Sequence, residues 1–173
     1  MPDPPPGFEP LDAPGNFIEL IGPVMTSREG QEEILGLRIE NRHLNAAGSA
    51  HGGLLSTLAD YALGRAVRRG RDDDKGVVTV SLTTDFLGPA KPGAWVEAHT
   101  EVERLGGTLG CADCSLTVDG REVVRGRAVF AARGAGSPHV RADPPDLHKV
   151  MVGGEQARST LRRCPTASRS ARG

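Results

Sequence analysis

Aromatic residues are scarce: four Phe, one Trp and one Tyr amount to 3% of the 173 residues. A stacking platform for single-stranded nucleic acid needs clusters of such rings, so that role is disfavoured. Charge of one sign is lacking as well, with 21 Lys+Arg against 22 Asp+Glu and a net charge of −1. A duplex-DNA binder carries a basic face, and this balance argues against one. Three cysteines are too few for a disulfide-stapled secreted fold. No apolar run approaches the roughly 18 residues of a membrane span. Met1-Pro2-Asp3-Pro4 has neither the basic n-region nor the apolar h-region of a signal peptide. The expectation is a soluble, cytoplasmic protein with no nucleic-acid partner and no membrane span, and both enzyme and binding module stay open.

Proline is nearly absent from the middle of the chain. Positions 1–15 hold six of the 13 prolines and positions 134–173 hold four, which leaves three for residues 16–133. Proline lacks the amide donor and fixes φ, so such ends are expected to stay outside a packed sheet. The last 40 residues carry seven basic side chains, from Arg141 to Arg172, against the acids Asp143, Asp146 and Glu155. The division is therefore a Pro-rich extension over 1–15, a domain over 16–133, and a basic, disordered tail over 134–173 with a short helical turn near 144–152.

Within the domain, Leu55, Ala59, Ala62 and Ala66 recur at three- and four-residue steps, flanked by Leu58 and Leu63. This spacing predicts a helix from Ser49, as N-cap, to about Arg69. Period-two segments follow. Val77–Phe86 sets Val78, Val80, Leu82 and Phe86 against Thr79, Ser81, Thr83 and Asp85. Trp95–Arg104 alternates Val96, Ala98, Thr100 and Val102 with acids and His99, and residues 108–118 align Ala112, Cys114, Leu116 and Val118. Asp119-Gly120 signals a hairpin into a last strand burying Val124, Ala128 and Phe130, and Gly106-Gly107 turns the preceding pair. Upstream, Ile34–Glu40 and Val24–Thr26 read as a strand and a short partner. One long helix plus an antiparallel meander is an α+β architecture, and its exposed sheet edge predicts dimerisation.

Chemistry concentrates in Asn45-Ala46-Ala47-Gly48-Ser49-Ala50-His51-Gly52-Gly53 and in Asp60. Gly52 and Gly53 each cost a helix about 1 kcal/mol relative to Ala, which makes sense where a ligand or another backbone must come close. First-turn amides lack intrahelical partners and carry partial positive charge, so they suit a carbonyl that becomes an oxyanion. Asp60 is an acid in mid-helix, in line with Gly53, Ser56 or Thr57, and Gly64. On residue chemistry alone two readings stand equal: a functional site, or a solvated Asp60 with His51 as a capping residue and glycines for packing.

The pattern Asn45, Gly48, His51-Gly52-Gly53, Leu58 and Asp60, then Thr79 and Ser81, Gly88-Pro89-Ala90-Lys91-Pro92-Gly93 and Gly126, resembles the PaaI-type acyl-CoA thioesterases of the hotdog superfamily. The resemblance covers roughly residues 16–133 and rests on order and spacing rather than on any single piece. It implies a hotdog fold, a long helix wrapped by a curved antiparallel sheet, in homodimers that often pair into tetramers. It also implies an active site at the dimer interface, acyl-CoA as substrate, and neither metal nor organic cofactor. Residue by residue, it implies Asp60 as general base or nucleophile and Gly52 as donor of the amide that polarises the carbonyl. Asn45 and His51 would orient the thioester or water, and Thr79 would assist the acid. Gly53, Ser81, Phe86 and the turn Arg104, Leu105, Gly106, Gly107, Thr108 and Leu109 would contact substrate and coenzyme A. Arg104 would supply a phosphate charge, with Lys91, Arg125 and Arg127 as helpers. Asp85 and the run Asp72-Asp73-Asp74 do not map onto the pattern.

Cys111-Ala112-Asp113-Cys114 has CxxC spacing but falls in a predicted strand, where positions three apart face opposite ways. With no second Cys pair, two ordinary thiols are the better reading than redox or zinc chemistry. His139, His148 and Cys164 lie in the tail. No GxSxG elbow is present for a serine hydrolase, and Gly106-Gly107-Thr108 is too short for a P-loop. The alternatives to a thioesterase are a non-catalytic acyl-CoA sensor or scaffold, and a hydratase or dehydratase with His51 paired to Asp60.

Overall fold

The elements are arranged around the helix α2, Gly52–Arg69, in the computed structural model, which describes residues 3–29 and 32–133. Its apolar stripe of Leu55, Leu58, Ala59, Ala62, Leu63, Ala66 and Val67 is buried as the spacing predicts. Each fully buried Leu of that stripe contributes about 2–3 kcal/mol of transfer free energy. The helix starts at Gly52 rather than Ser49. Ser49 is held in a turn by Asn45, and Ala50 N–H donates to Ala90 O at 2.8 Å, so the cap falls to His51. The helix stops at Gly70, where a Cβ would lie 2.6 Å from Leu105 Cδ1.

Among the described residues, seven strands form one open antiparallel sheet that wraps the helix, which is the hotdog arrangement. They are β1 (Glu9–Pro10), β2 (Val24–Glu29), β3 (Glu32–Arg38), β4 (Val77–Phe86), β5 (Trp95–Leu105), β6 (Leu109–Val118) and β7 (Arg121–Ala132). Their order is β1-β2-β3-β5-β6-β7-β4, so the strand that follows the helix lies at the far edge. The β6–β7 hairpin turns on Asp119 and Gly120, both at positive φ, as their sequence demands. The sheet contributes Val24, Leu35 and Leu37 from β2 and β3 to the core, and residues such as Val96, Ala98, Ala112, Leu116, Val124 and Phe130 from β5 to β7. Gly110 lets the helix approach, because a Cβ there would meet Val67 Cγ1 at 2.7 Å.

Three differences from the sequence reading matter. The proline-rich start does enter the sheet: Glu9–Pro10 pairs with β2, Leu11 joins the core, and the Phe8 ring meets Trp95 edge-on at 5.0 Å. An edge strand tolerates proline because one side of its ladder has no partner to lose. A short helix, α1 (Asn16–Ile21), buries Ile18 and leaves Phe17 and Leu20 exposed. Finally, β4 is not a simple alternating strand. Its register against β7 shifts between Thr79 and Ser81, so Val80 is bulged out and the facing pattern reverses there. Val78, Val80 and Phe86 are exposed, contrary to a buried apolar face. The tail over 134–173, including the turn expected near 144–152, lies outside the described residues. Among those described, no helix is long and apolar enough to cross a membrane.

Candidate active site

The amino end of α2 is built by a local network. Asn45 Oδ1 accepts from Ala47 N–H at 2.9 Å and Ser49 N–H at 3.3 Å, closing the turn that precedes the helix. His51 N–H donates to His43 O at 2.8 Å, and His51 Nδ1 accepts from Gly53 N–H at 2.9 Å. Leu54 and Leu55 N–H both turn to His51 O. The amide of Gly52 is thus left without a hydrogen bond among the described residues. Phe86 packs beside this residue, and a Cβ on Gly52 would sit 3.1 Å from Phe86 Cζ. His43 backs this end: its Nδ1 accepts from Glu40 N–H at 3.0 Å. Burial, and then the Arg42 charge, pull its pKa below the ordinary imidazole value.

Further along α2, Thr79 Oγ1 donates to Asp60 Oδ1 at 2.8 Å. The β4 bulge makes this contact. Thr79 pairs with inward-facing Phe130, whereas beyond the bulge Leu82 and Thr84 take the inward positions opposite Ala128 and Gly126. Ser56 and Thr84 hydroxyls meet at 3.2 Å one turn earlier. Asp60 is half-buried and opens on two cavities. One, of about 490 Å³, runs along Gly64, Arg68, Val77, Thr79 and Phe130. The other, of about 400 Å³, lies under Phe17 beside Thr57, Tyr61 and Leu82. A third cavity, of about 590 Å³, opens at the helix start on His51, Gly53 and Thr57. A carboxylate oriented by a hydroxyl next to accessible space is equipped to activate water or to attack an acyl carbon.

The other expected positions fall in different places. Arg104, Leu105, Gly106, Gly107, Thr108 and Leu109 form the β5–β6 turn at the carboxyl end of α2, away from Gly52. That turn is fastened by Arg71, only 6% exposed, which donates to Gly106 O at 3.0 Å and to Gly107 O at 3.1 Å. The same guanidinium grips Asp73 at 3.0 and 2.7 Å and pulls its pKa down to about 2, which accounts for one of the acids that the motif could not absorb. Ser81 pairs with Val129 on the sheet face turned from the helix. Arg125 and Arg127 are on that outer face too, engaged with Glu122 and Asp113, so the structure does not bring them to Asp60 as phosphate helpers. Asp85 pairs in register with Arg125 there. Lys91 follows Ala90, which receives the Ala50 amide near the helix start. Cys111 and Cys114 face opposite ways; burial pushes the Cys114 thiol up to about 12, which makes it inert. No metal-binding group of His, Cys, Asp and Glu occurs among the described residues.

Within the chain Gly52 and Asp60 stay apart. Eight helical steps separate them, about 12 Å along the axis, and His51 and Asp60 do not pair. The residues that sequence reasoning missed are Phe17, Tyr61, Arg65 and Arg68. The helical steps Asp60, Gly64, Arg68 were the available signal for the last of these.

A family model described as Thioesterase superfamily matches residues 47–125. A Pseudomonas aeruginosa protein named as a candidate esterase is 41% identical over 127 residues, covering 73% of this chain and 95% of its own. Human acyl-coenzyme A thioesterase 13 is 30% identical over 115 residues, covering 65% of this chain and 81% of its own. Among solved structures, zebrafish thioesterase superfamily member 2 superposes with a TM-score of 0.63 at 26% identity, over 70% of this chain and 89% of that one. The PaaI protein of the E. coli phenylacetic acid degradation operon shares the fold, with a TM-score of 0.62 at 24% identity over 68% and 84%.

Proposed function

The chain belongs to the thioesterase superfamily, and from that premise we propose that it hydrolyses acyl-CoA thioesters to free acid and coenzyme A at a site completed by two copies of the chain. The observation that carries this reading is the Thr79-oriented Asp60 at one point of α2 and the unpartnered Gly52 amide at another. The two lie too far apart within a protomer to touch one thioester. A second copy supplies the missing half if the free edges of two β4 strands pair antiparallel. That pairing carries the Phe86–Gly52 end of one copy towards the Thr79–Asp60 end of the other. The exposed Val78 and Val80 on this edge support it, since an apolar unpaired strand is unfavourable in water.

In the resulting scheme, Gly52 N–H receives the thioester oxygen and strengthens its hydrogen bond as the oxyanion forms. A donor of this kind is worth about 3–4 kcal/mol in other enzymes. Asp60 takes a proton from water as the oxygen adds to the acyl carbon; the C–S bond then breaks and the thiolate leaves. Alternatively, an Asp60 oxygen adds directly, expels the thiolate, and water hydrolyses the anhydride. Thr79 orients the carboxylate in both cases. Asn45 and His51 act here by shaping the helix start rather than by pairing with Asp60. No metal or cofactor takes part beyond the coenzyme A of the substrate. The test is thiol release from short-, medium-, long-chain and aryl-CoA substrates, run beside Asp60→Asn. Turnover lost in the variant supports the reading, and a wild type inert across the panel overturns it.

A further inference from the structure

The cavity on the Thr79 side of Asp60 has a wall that this scheme does not use. Arg65, Arg68 and Arg69 contribute three guanidiniums to it, while Asp60 is the single acid among the described residues that line it. Behind the wall Glu33, 4% exposed, accepts from Arg65 Nε at 2.9 Å and Nη2 at 2.8 Å and from Arg69 Nη1. One carboxylate balances only one of those two charges. Burial, and then the nearby Arg28 charge, lower the pKa of Arg69.

Arg68 takes no share of Glu33. Its Nη1 donates to Asp73 O at 2.7 Å, and its nearest carboxylate is Asp74 at 4.0 Å, on a fully exposed side chain. Such a pair is strongly screened. Nε and Nη2 of Arg68 therefore keep their hydrogen-bonding capacity at the cavity wall. Asp73, the other near acid, is already tied to Arg71 and Lys75. The remaining lining near Arg68 is Gly64, Val77 and Phe130, so an anion entering there meets weakly polar walls and unbalanced positive charge.

Resting on the thioesterase reading, we propose that Arg68, backed by Arg65, receives an anionic oxygen group of the substrate about 12 Å along α2 from the scissile thioester. A guanidinium takes a phosphate or carboxylate through two parallel hydrogen bonds, which suits either a phosphate of coenzyme A or a carboxylate at the far end of the acyl group. Both sources offer the same chemistry to the wall, and substrate choice separates them.

The experiment measures KM and kcat of wild type, Arg68→Gln, Arg68→Lys and Asp74→Asn on three thioesters. These are an acyl-CoA whose acyl group is uncharged, the same acyl group on phosphate-free pantetheine, and an ω-carboxyacyl pantetheine. A charge-assisted pair at a half-exposed site corresponds to a KM rise of about 10-fold in Arg68→Gln, partly restored in Arg68→Lys. Asp74→Asn, which alters only an exposed and screened side chain, is expected to leave KM unchanged. A penalty on the acyl-CoA that disappears on the uncharged pantetheine thioester assigns the wall to a phosphate. A penalty found only with the ω-carboxyacyl substrate assigns it to the acyl group. Equal KM for wild type and Arg68→Gln on all three overturns the inference but leaves the thioesterase reading intact. A penalty of equal size on the uncharged pantetheine thioester overturns it as well, since no anion is then being read. Wild type that releases no thiol from any of the three overturns the thioesterase reading instead.

Discussion

A site shared between two copies makes a quantitative prediction that a site within one copy does not. Gly52→Pro removes the free N–H at the first helical position, where proline's fixed φ is well suited and no intrahelical bond is lost. Its ring must displace Phe86, whose Cζ lies 3.1 Å from a Cβ at this position, but Phe86 is half-exposed and free to turn outward. Loss of one oxyanion donor lowers kcat by about 10²–10³-fold. Asp60→Asn keeps the shape and removes the base, with a loss of about 10²–10⁴-fold. When the two variants are unfolded together in equal amounts and reassembled, half of the dimers are mixed by random pairing. Each mixed dimer holds one site with Gly52 and Asp60 both intact and one site with neither, so activity returns to about a quarter of wild type. The assay is thiol release before and after mixing, with sedimentation confirming dimers and each variant refolded alone as a control. A mixture no more active than the separate variants, with dimers re-formed, would refute the shared site.

Four further outcomes follow from contacts in the structure. Thr79→Val removes the 2.8 Å hydrogen bond to Asp60 without changing side-chain shape; a bond to a charged group of about 1.5–3 kcal/mol corresponds to a loss of about 10–150-fold in kcat/KM. Thr79→Ser should restore most of it, and full activity in the Val variant would remove Thr79 from the mechanism. Gly36→Ala places a Cβ 2.1 Å from Trp95 Cζ2, so the indole must leave both Phe8 and the Arg38 guanidinium 4.9 Å from its ring. The loss of about 1–3 kcal/mol is read as a lower midpoint of urea unfolding. Asp73 is held near 2 by Arg71, below the ordinary carboxylate value of 3.8, so its latch on the Gly106-Gly107 turn is complete above about pH 4. It is lost as pH falls towards 2, and amide exchange in residues 104–109 should accelerate across that window. The Cys114 thiol, buried and pushed up to about 12, should resist alkylation in the folded protein at pH 8 and react once the chain is unfolded, with mass spectrometry of the labelled peptide as readout.

Helical periodicity marked Asp60 as a mid-helix acid in line with Gly53 and Gly64, apart from the apolar stripe, but left a functional and a solvated acid equal; the resemblance decided between them. The cysteines were legible from periodicity as well, since strand alternation alone sends Cys111 and Cys114 to opposite faces. Thr79 was assigned through resemblance, while its own strand pattern put it on the wrong side. One bulged residue, Val80, reverses the alternation, and nothing in the residue types around it announces the extra residue. Ser49 was the better N-cap by preference, yet the turn held by Asn45 engages it and His51 takes the position. Arg125 and Arg127 entered as phosphate helpers through the resemblance alone. Their partners Glu122 and Asp113 became visible only with the β6–β7 register.

Local pattern by itself determined the succession of helix and meander, the buried stripe of α2, and the Asp119-Gly120 turn, because each depends on side chains within a few positions of one another. The tertiary structure decided the rest. Strand β4 pairs with β7, setting Thr79 against Phe130 from 51 positions later, at the edge of the sheet. That pairing carries Thr79 to Asp60 and leaves an open edge facing solvent. The helix itself sets Gly52 about 12 Å from Asp60, and it is this spacing, with the open β4 edge, that the proposed two-copy site rests on. Hydrogen bonds between distant backbone segments set register and strand order, and no periodicity within a segment records them.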